Sequence, residues 1–238
     1  MQGFLAVYKR ELRSYFNSPI AYIFIVVFLL LASWLFFRGF FLYGQADLRP
    51  FFSLLPWMFL FFVPAVSMRL WAEERKMGTA ELLLTFPVKD EAVILGKFLA
   101  GLSLITLTVL LQFPLLILTS RLGNVDPGPV IGGTLGAIFL GGAYLAIGLF
   151  LSSVTDNQIV AFILGVVVCF ILFIIGESLV LITAPASVAP ILHSLGLGAH
   201  FESMGRGVID SRDVIYYFLV VAFFLHLTRL SLAERRWA

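Results

Sequence analysis

Long apolar runs alternate with short polar intervals along most of this sequence. Within each run the apolar residues are continuous instead of spaced two apart, which predicts membrane-spanning helices and not barrel strands. Six spans are predicted, at about 20–37, 51–67, 98–119, 130–151, 159–182 and 214–232. Residues 1–18 follow a different pattern. Phe4, Leu5, Tyr8, Leu12, Tyr15 and Phe16 share one side of a helix, with Lys9, Arg10 and Arg13 largely on the other. That predicts an amphipathic helix lying in the membrane interface. Asn17-Ser18-Pro19 breaks it, and Pro19 suits the first turn of the next helix. Pro56 and Pro64 in the second span read as kinks, tolerated where neighbouring helices satisfy the freed carbonyls. Gly132 and Gly136 in the fourth form a G-x-x-x-G pair, which permits close helix packing, more naturally within one chain than between subunits. The connection 183–213 is too apolar in its first half for a solvated loop, and predicts a re-entrant segment there. Residues 1–238 thus read as one all-α transmembrane domain.

Composition agrees with this reading. The chain is 61% hydrophobic and 13% charged, with mean hydropathy +1.02, against about 45–50% apolar and about 25% charged in soluble domains. A net charge of +2 is small and gives no reason to expect a nucleic-acid partner; its distribution is informative. The N-terminus, the bridge 68–97 and the C-terminal end hold 11 Lys and Arg residues, against 5 in the other connections. The positive-inside rule then places both termini and the bridge in the cytoplasm of a multi-pass inner-membrane protein, with 183–213 outside. The apolar run after Arg13 ends in Trp34-Leu35-Phe36-Phe37 with no small-residue cleavage site, so it reads as an uncleaved span. Cys169, the single cysteine, reads as a small buried hydrophobe and allows no disulfide within the chain.

Catalytic motifs are absent. Gly96-Lys97 is followed by Phe98, and Glu91 stands where a phosphate loop needs glycine, so the chain carries no G-x-x-x-x-G-K-[ST]. No cofactor is expected. His193, His200 and Glu202 lie close in sequence, but their spacing is a weak match to a metal site, and none is assigned. Glu177, in the outer half of the fifth predicted span, is an intramembrane charge with two open readings. It either lines a cavity or orders the re-entrant segment, or it sits at the interface and snorkels.

The bridge from Met68 to Lys97 is the longest charge-dense stretch. Arg69 to Lys76 reads as a cytoplasmic extension of the second span. Gly78-Thr79 ends that helix and starts another, with Thr79 as N-cap and Glu81 in the first turn, where the helix dipole favours a carboxylate. Pro87 stops it, and Asp90 reads as the cap of the helix leading into the third span.

Glu73-Glu74-Arg75-Lys76-Met77-Gly78-Thr79-Ala80-Glu81-Leu82-Leu83-Leu84 with Pro87 resembles the E-E-[RK]-x-x-G-T-x-E-x-L-L-x-x-P signature of type-2 ABC exporter permeases. The opening, Lys9 to Tyr22, is similar to the gliding-motility-associated (GldF-like) branch. The resemblance implies a permease subunit, itself no enzyme, that pairs with a second permease and with cytoplasmic ATPases that bind the ATP. It also implies an ATPase-docking surface of Arg10, Glu11, Glu73, Glu74, Arg75, Gly78, Thr79, Glu81 and Leu82. The expected function is export or envelope remodelling driven by the partner ATPase. Alternatives are a haem-export or cofactor-maturation permease, and a force-transmitting scaffold of an envelope machine. Any large periplasmic domain would belong to another membrane protein, and lipid is the remaining expected partner.

Overall fold

The computed structural model describes residues 2–43, 47–79 and 89–234, and among these every regular element is helical. The elements are α1 (Gln2–Asn17), α2 (Pro19–Tyr43), α3 (Arg49–Ser67), α4 (Arg69–Lys76), α5 (Asp90–Leu110), α6 (Phe113–Leu122), α7 (Pro127–Val154), α8 (Gln158–Ile174), α9 (Ser178–Leu181), α10 (Ala189–Leu195), α11 (Leu197–Gly205) and α12 (Ser211–Glu234). Five helical stretches are long and apolar enough to cross a membrane: Ala21–Phe41, Arg49–Lys76, Asp90–Leu122, Pro127–Val154 and Ser211–Ala233. The fifth expected span, 159–182, corresponds to α8, an apolar helix of 17 residues.

The bundle is built around α7, which packs against α3, α4, α5, α8, α11 and α12. Leu140 and the run Ala143 to Ile147 are fully buried. Small residues make this possible. A Cβ placed on Gly133 would lie 2.4 Å from the Phe52 ring, one on Gly141 3.3 Å from Phe59, and one on Gly148 1.9 Å from the Ser67 hydroxyl. Glycine about every two turns of α7 therefore lets α3 lie parallel along it with backbones close. Gly132 and Gly136 serve another neighbour: they face Met204 of α11, within the same chain.

The polypeptide passes end to end between two poles. At one pole lie α1, α4, the start of α5 and the ends of α7 and α12, tied by Arg229 to Glu91 at 2.9 Å and by Arg75 to the Ser153 carbonyl at 2.6 Å. At the other lie α11 and the starts of α3, α7 and α12, with Arg49 3.3 Å from Asp126 and Gly207 against Gly128. Between them α8 runs antiparallel to α3, with Gly165 against Pro64 and Phe173 in edge contact with Trp57 at 5.0 Å. An aromatic seam joins α2 to α3, where Phe28 and Phe24 each meet Phe62 edge-on at 4.9 Å, geometries that add to simple area burial.

Several boundaries differ from the sequence expectation. The helix expected to run to Ile182 stops at Ile174, just before Gly176 packs backbone to backbone on Gly196. In the connection 183–213 the buried portion is the second half, not the first. Leu197, Phe201 and Met204 of α11 are buried against the core, while α9 and α10 contribute no buried residue. Residue type explains this, since Gly198 lets α11 approach Phe173 of α8, and Gly132 and Gly136 of α7 receive its Met204. The cap before α5 is Lys89, in extended conformation, one residue before the expected Asp90. Asp90 and Glu91 instead occupy the first turn, where the helix dipole favours carboxylates.

Candidate functional site

The site sits at the pole formed by α1, α4 and the start of α5. α1 crosses α5 at Gly96, where an added Cβ would lie 2.9 Å from Val7 and 3.3 Å from the Tyr8 backbone nitrogen. Tyr8 and Ser103 hydroxyls bond at 2.9 Å. This close crossing brings the third turn of α1 over α4, and four charges meet. Lys97, 1% exposed, donates to Glu11 at 3.1 Å and to the Leu70 carbonyl at 2.9 Å, and lies 3.0 Å from Glu74. An ammonium has three N–H donors, and each has an acceptor here. The ring of the fully buried Trp71 stands 5.0 Å from the same nitrogen. Arg10, half-exposed, reaches the same two carboxylate oxygens at 2.9 Å and 2.8 Å. Two cations and two anions thus alternate. Burial works to raise the Glu11 carboxyl, but Lys97 and Arg10 outweigh it and hold it below its ordinary value. Glu11 is therefore ionised at neutral pH, as the arrangement requires.

α4 is held from below by α7. Met68 interrupts the helix between α3 and α4, leaving backbone N–H groups of the next turn without their usual partners. The Ser152 hydroxyl accepts from Trp71 N at 3.1 Å and Ala72 N at 3.0 Å, and donates to the Met68 carbonyl at 2.8 Å. One side chain on α7 so satisfies three backbone groups at the break. Arg69 and Glu73 pair along α4 at 3.0 Å. Gly78 adopts φ +69°, the left-handed conformation that ends helices and that side chains other than glycine resist. Thr79 turns its hydroxyl back to the Glu74 carbonyl at 3.2 Å, closing the end of α4.

Between α1 and α4 opens a cleft of about 500 Å³, lined chiefly by charged side chains from Arg10, Glu11, Arg69, Glu73, Glu74 and Lys97. Tyr15 borders it, and burial raises its hydroxyl well above the ordinary tyrosine range. Of the residues expected to dock a partner, Arg10, Glu11 and Glu74 are in mutual contact. Glu73 and Thr79 border the same cleft, Arg75 anchors α4 to α7, and Gly78 ends α4. Glu81 and Leu82 lie outside the described residues. Lys97 and Ser152 were not expected. The signal for Lys97 was present, since a lysine among Ala92 to Phe98 needs a counter-charge wherever it goes. Ser152 gave no signal, because its partners are some eighty positions away.

Glu177 stands apart, half-buried at the far pole. Its backbone carbonyl accepts from Val180 and Leu181, and its carboxylate lies against Gly198 of α11. There it touches the outer segment directly. The ring nitrogens of His200 are both engaged, with Asp213 at 2.7 Å and the Ser194 carbonyl at 3.1 Å.

A family profile described as ABC-2 family transporter protein matches residues 38–196, more than half of the chain. The match includes α4, Lys97 and Ser152 and begins after α1. No curated protein matches the sequence.

Proposed function

The chain belongs to the ABC-2 transporter family, and on that premise we propose that it is the permease subunit of an exporter driven by a separate cytoplasmic ABC ATPase. One observation carries this reading. The charged cleft between α1 and α4 lies at the pole where α5, α7 and α12 converge, so a protein seated there presses on α1 and α4, which pack on α5 and α7. The chain has no phosphate loop of its own, and mechanical input from a docked ATPase supplies what it lacks. Lys and Arg distribution supports a cytoplasmic location for this pole and for both termini.

On this reading the chain crosses the membrane six times. At 1.5 Å per residue α8 spans about 26 Å, close to the hydrocarbon thickness of roughly 30 Å, and its contacts carry it from one pole to the other. A second permease, identical or paralogous, completes the transporter, and the opening segment Lys9 to Tyr22 supports the gliding-motility-associated branch. α11, buried in the outer pole, acts as the re-entrant element, with Glu177 ordering it.

The test is assembly. Purified with its cognate ATPase in lipid nanodiscs, the wild-type chain should form a complex and raise ATP turnover. Glu73→Lys, a charge reversal at the rim of the cleft, should weaken the complex by about tenfold, or ~1.4 kcal/mol. Undiminished binding by that variant removes the cleft from the docking surface.

A further inference from the structure

We propose that Lys97, which the docking surface does not include, is the positioning residue that makes α1, α4 and α5 move as one body and so passes a displacement at the cleft on to α7. This rests on the functional reading above. Lys97 lies at the floor of the cleft, but at 1% exposure it offers almost no surface to a docked partner, so it acts chiefly through what it holds. It holds three elements: α1 through Glu11, α4 through Glu74, the Leu70 carbonyl and the Trp71 ring, and α5 through its own backbone.

A lysine is not what stability alone would select here. Replacing buried ion pairs by packed apolar residues is often neutral or stabilising, whereas one well-placed buried charge fixes geometry. The remaining α1–α5 contacts, Val7 on Gly96 and Tyr8 to Ser103, do not involve α4. Arg10 ties α1 to Glu74, and Ser152 ties α4 to α7, so what Lys97 adds is the tie of α5 to both α1 and α4. From α5 the path continues by direct packing, because Gly101 meets Leu145 and Ile105 meets Gly141, both on α7. α7 runs to the opposite pole, where Ile131 is exposed. Packed elements with discrete arrangements transmit displacement in this way, and the physical warrant is a response at one end that depends on a link in the middle.

The experiment uses the full chain with its ATPase in nanodiscs, carrying Ile131→Cys as a reporter; the native Cys169 is buried and silent. Labelling of the reporter is timed with and without ATP, and ATPase affinity is measured on the same samples. In the parent complex ATP should change the labelling rate. Lys97→Met should lose about tenfold of the ATP-dependent change, a loss clearly larger than any fall in ATPase affinity, within the usual range of coupling factors. Lys97→Arg, which keeps the charge and the donors, should retain most of it. If Lys97→Met does not accumulate in membranes, Lys97→Gln, neutral but still able to donate to Leu70, is measured in its place with the same expectation. An undiminished ATP response in the neutral variant overturns the proposal. So does a loss of ATPase affinity as large as the loss of response, because that marks a merely structural role. A parent chain that binds no ATPase overturns the functional reading itself, and this inference with it.

Discussion

Ser152 shows how much one hydroxyl does at the junction of α3 and α4. It fills one donor and two acceptor positions at once, all on groups freed by the break at Met68. Ser152→Ala leaves two buried N–H groups and a carbonyl without partners, each costing about 1–3 kcal/mol. A thermal melt in detergent should fall clearly, while Ser120→Ala on the surface of α6 should melt like the parent. Equal melting of the two would mean that water or backbone adjustment replaces the serine. At this scale the sequence was readable where side chains act locally. Gly78 was legible as a helix end because its role depends only on its own φ. Arg10, Glu11 and Glu74 were nameable through the resemblance, but nothing in their spacing says that they meet on one ammonium. That meeting depends on the crossing of α1 over Gly96, a tertiary event.

Among the elements, α7 sets the packing rules. Its glycines face α3 at Gly133, Gly141 and Gly148, and α11 at Gly132 and Gly136, so the helix has two close-packing faces. Gly133→Ala forces a Cβ to 2.4 Å from the Phe52 ring and should cost about 1–3 kcal/mol by overpacking. Gly142→Ala, whose Cβ would meet only ordinary contacts at 3.5 Å and beyond, is the control and should leave the melting temperature unchanged. A Gly133 variant as stable as its control would mean that α3 and α7 are free to separate. In the sequence Gly132 and Gly136 stand out as a G-x-x-x-G pair, because that motif depends on four-residue spacing. The face toward α3 repeats every seven or eight residues, a spacing that matches no such motif. The ends of α8 and the choice of α11 over α10 as the buried outer helix were illegible for a related reason. Both lie beside the contact of Gly176 with Gly196, a tertiary event, and apolarity alone cannot distinguish a segment facing protein from one facing lipid.

The molecule as a whole is a multi-pass membrane bundle whose periphery is far less enclosed than its axis. The most apolar window of Pro127–Val154 is 67% buried, against 22% for Ala21–Phe41 and 11% for Ser211–Ala233. Whether α8 completes a sixth crossing is decided by sidedness. Asp156→Cys, before α8, and Ser187→Cys, after it, should react with a membrane-impermeant thiol reagent from opposite sides of oriented vesicles. Labelling from one side alone would leave α8 lying within a single leaflet. The six-run pattern was legible from continuous apolarity, whereas the central place of α7 was not, because its glycines lower the apolar signal at the very positions that pack best. The pairing of α3 with α7 also has a consequence in time. The α3 face that receives Gly133, Gly141 and Gly148 is complete at Ser67, but the last of those glycines is synthesised roughly eighty residues later, and at about 5–20 residues per second the interval is on the order of ten seconds. Throughout that wait the nascent α3, already bearing Pro56 and Pro64 and followed by the charged α4, has no native partner from α7. Biogenesis thus depends on whatever shelters the first half of the chain while the ribosome completes the second.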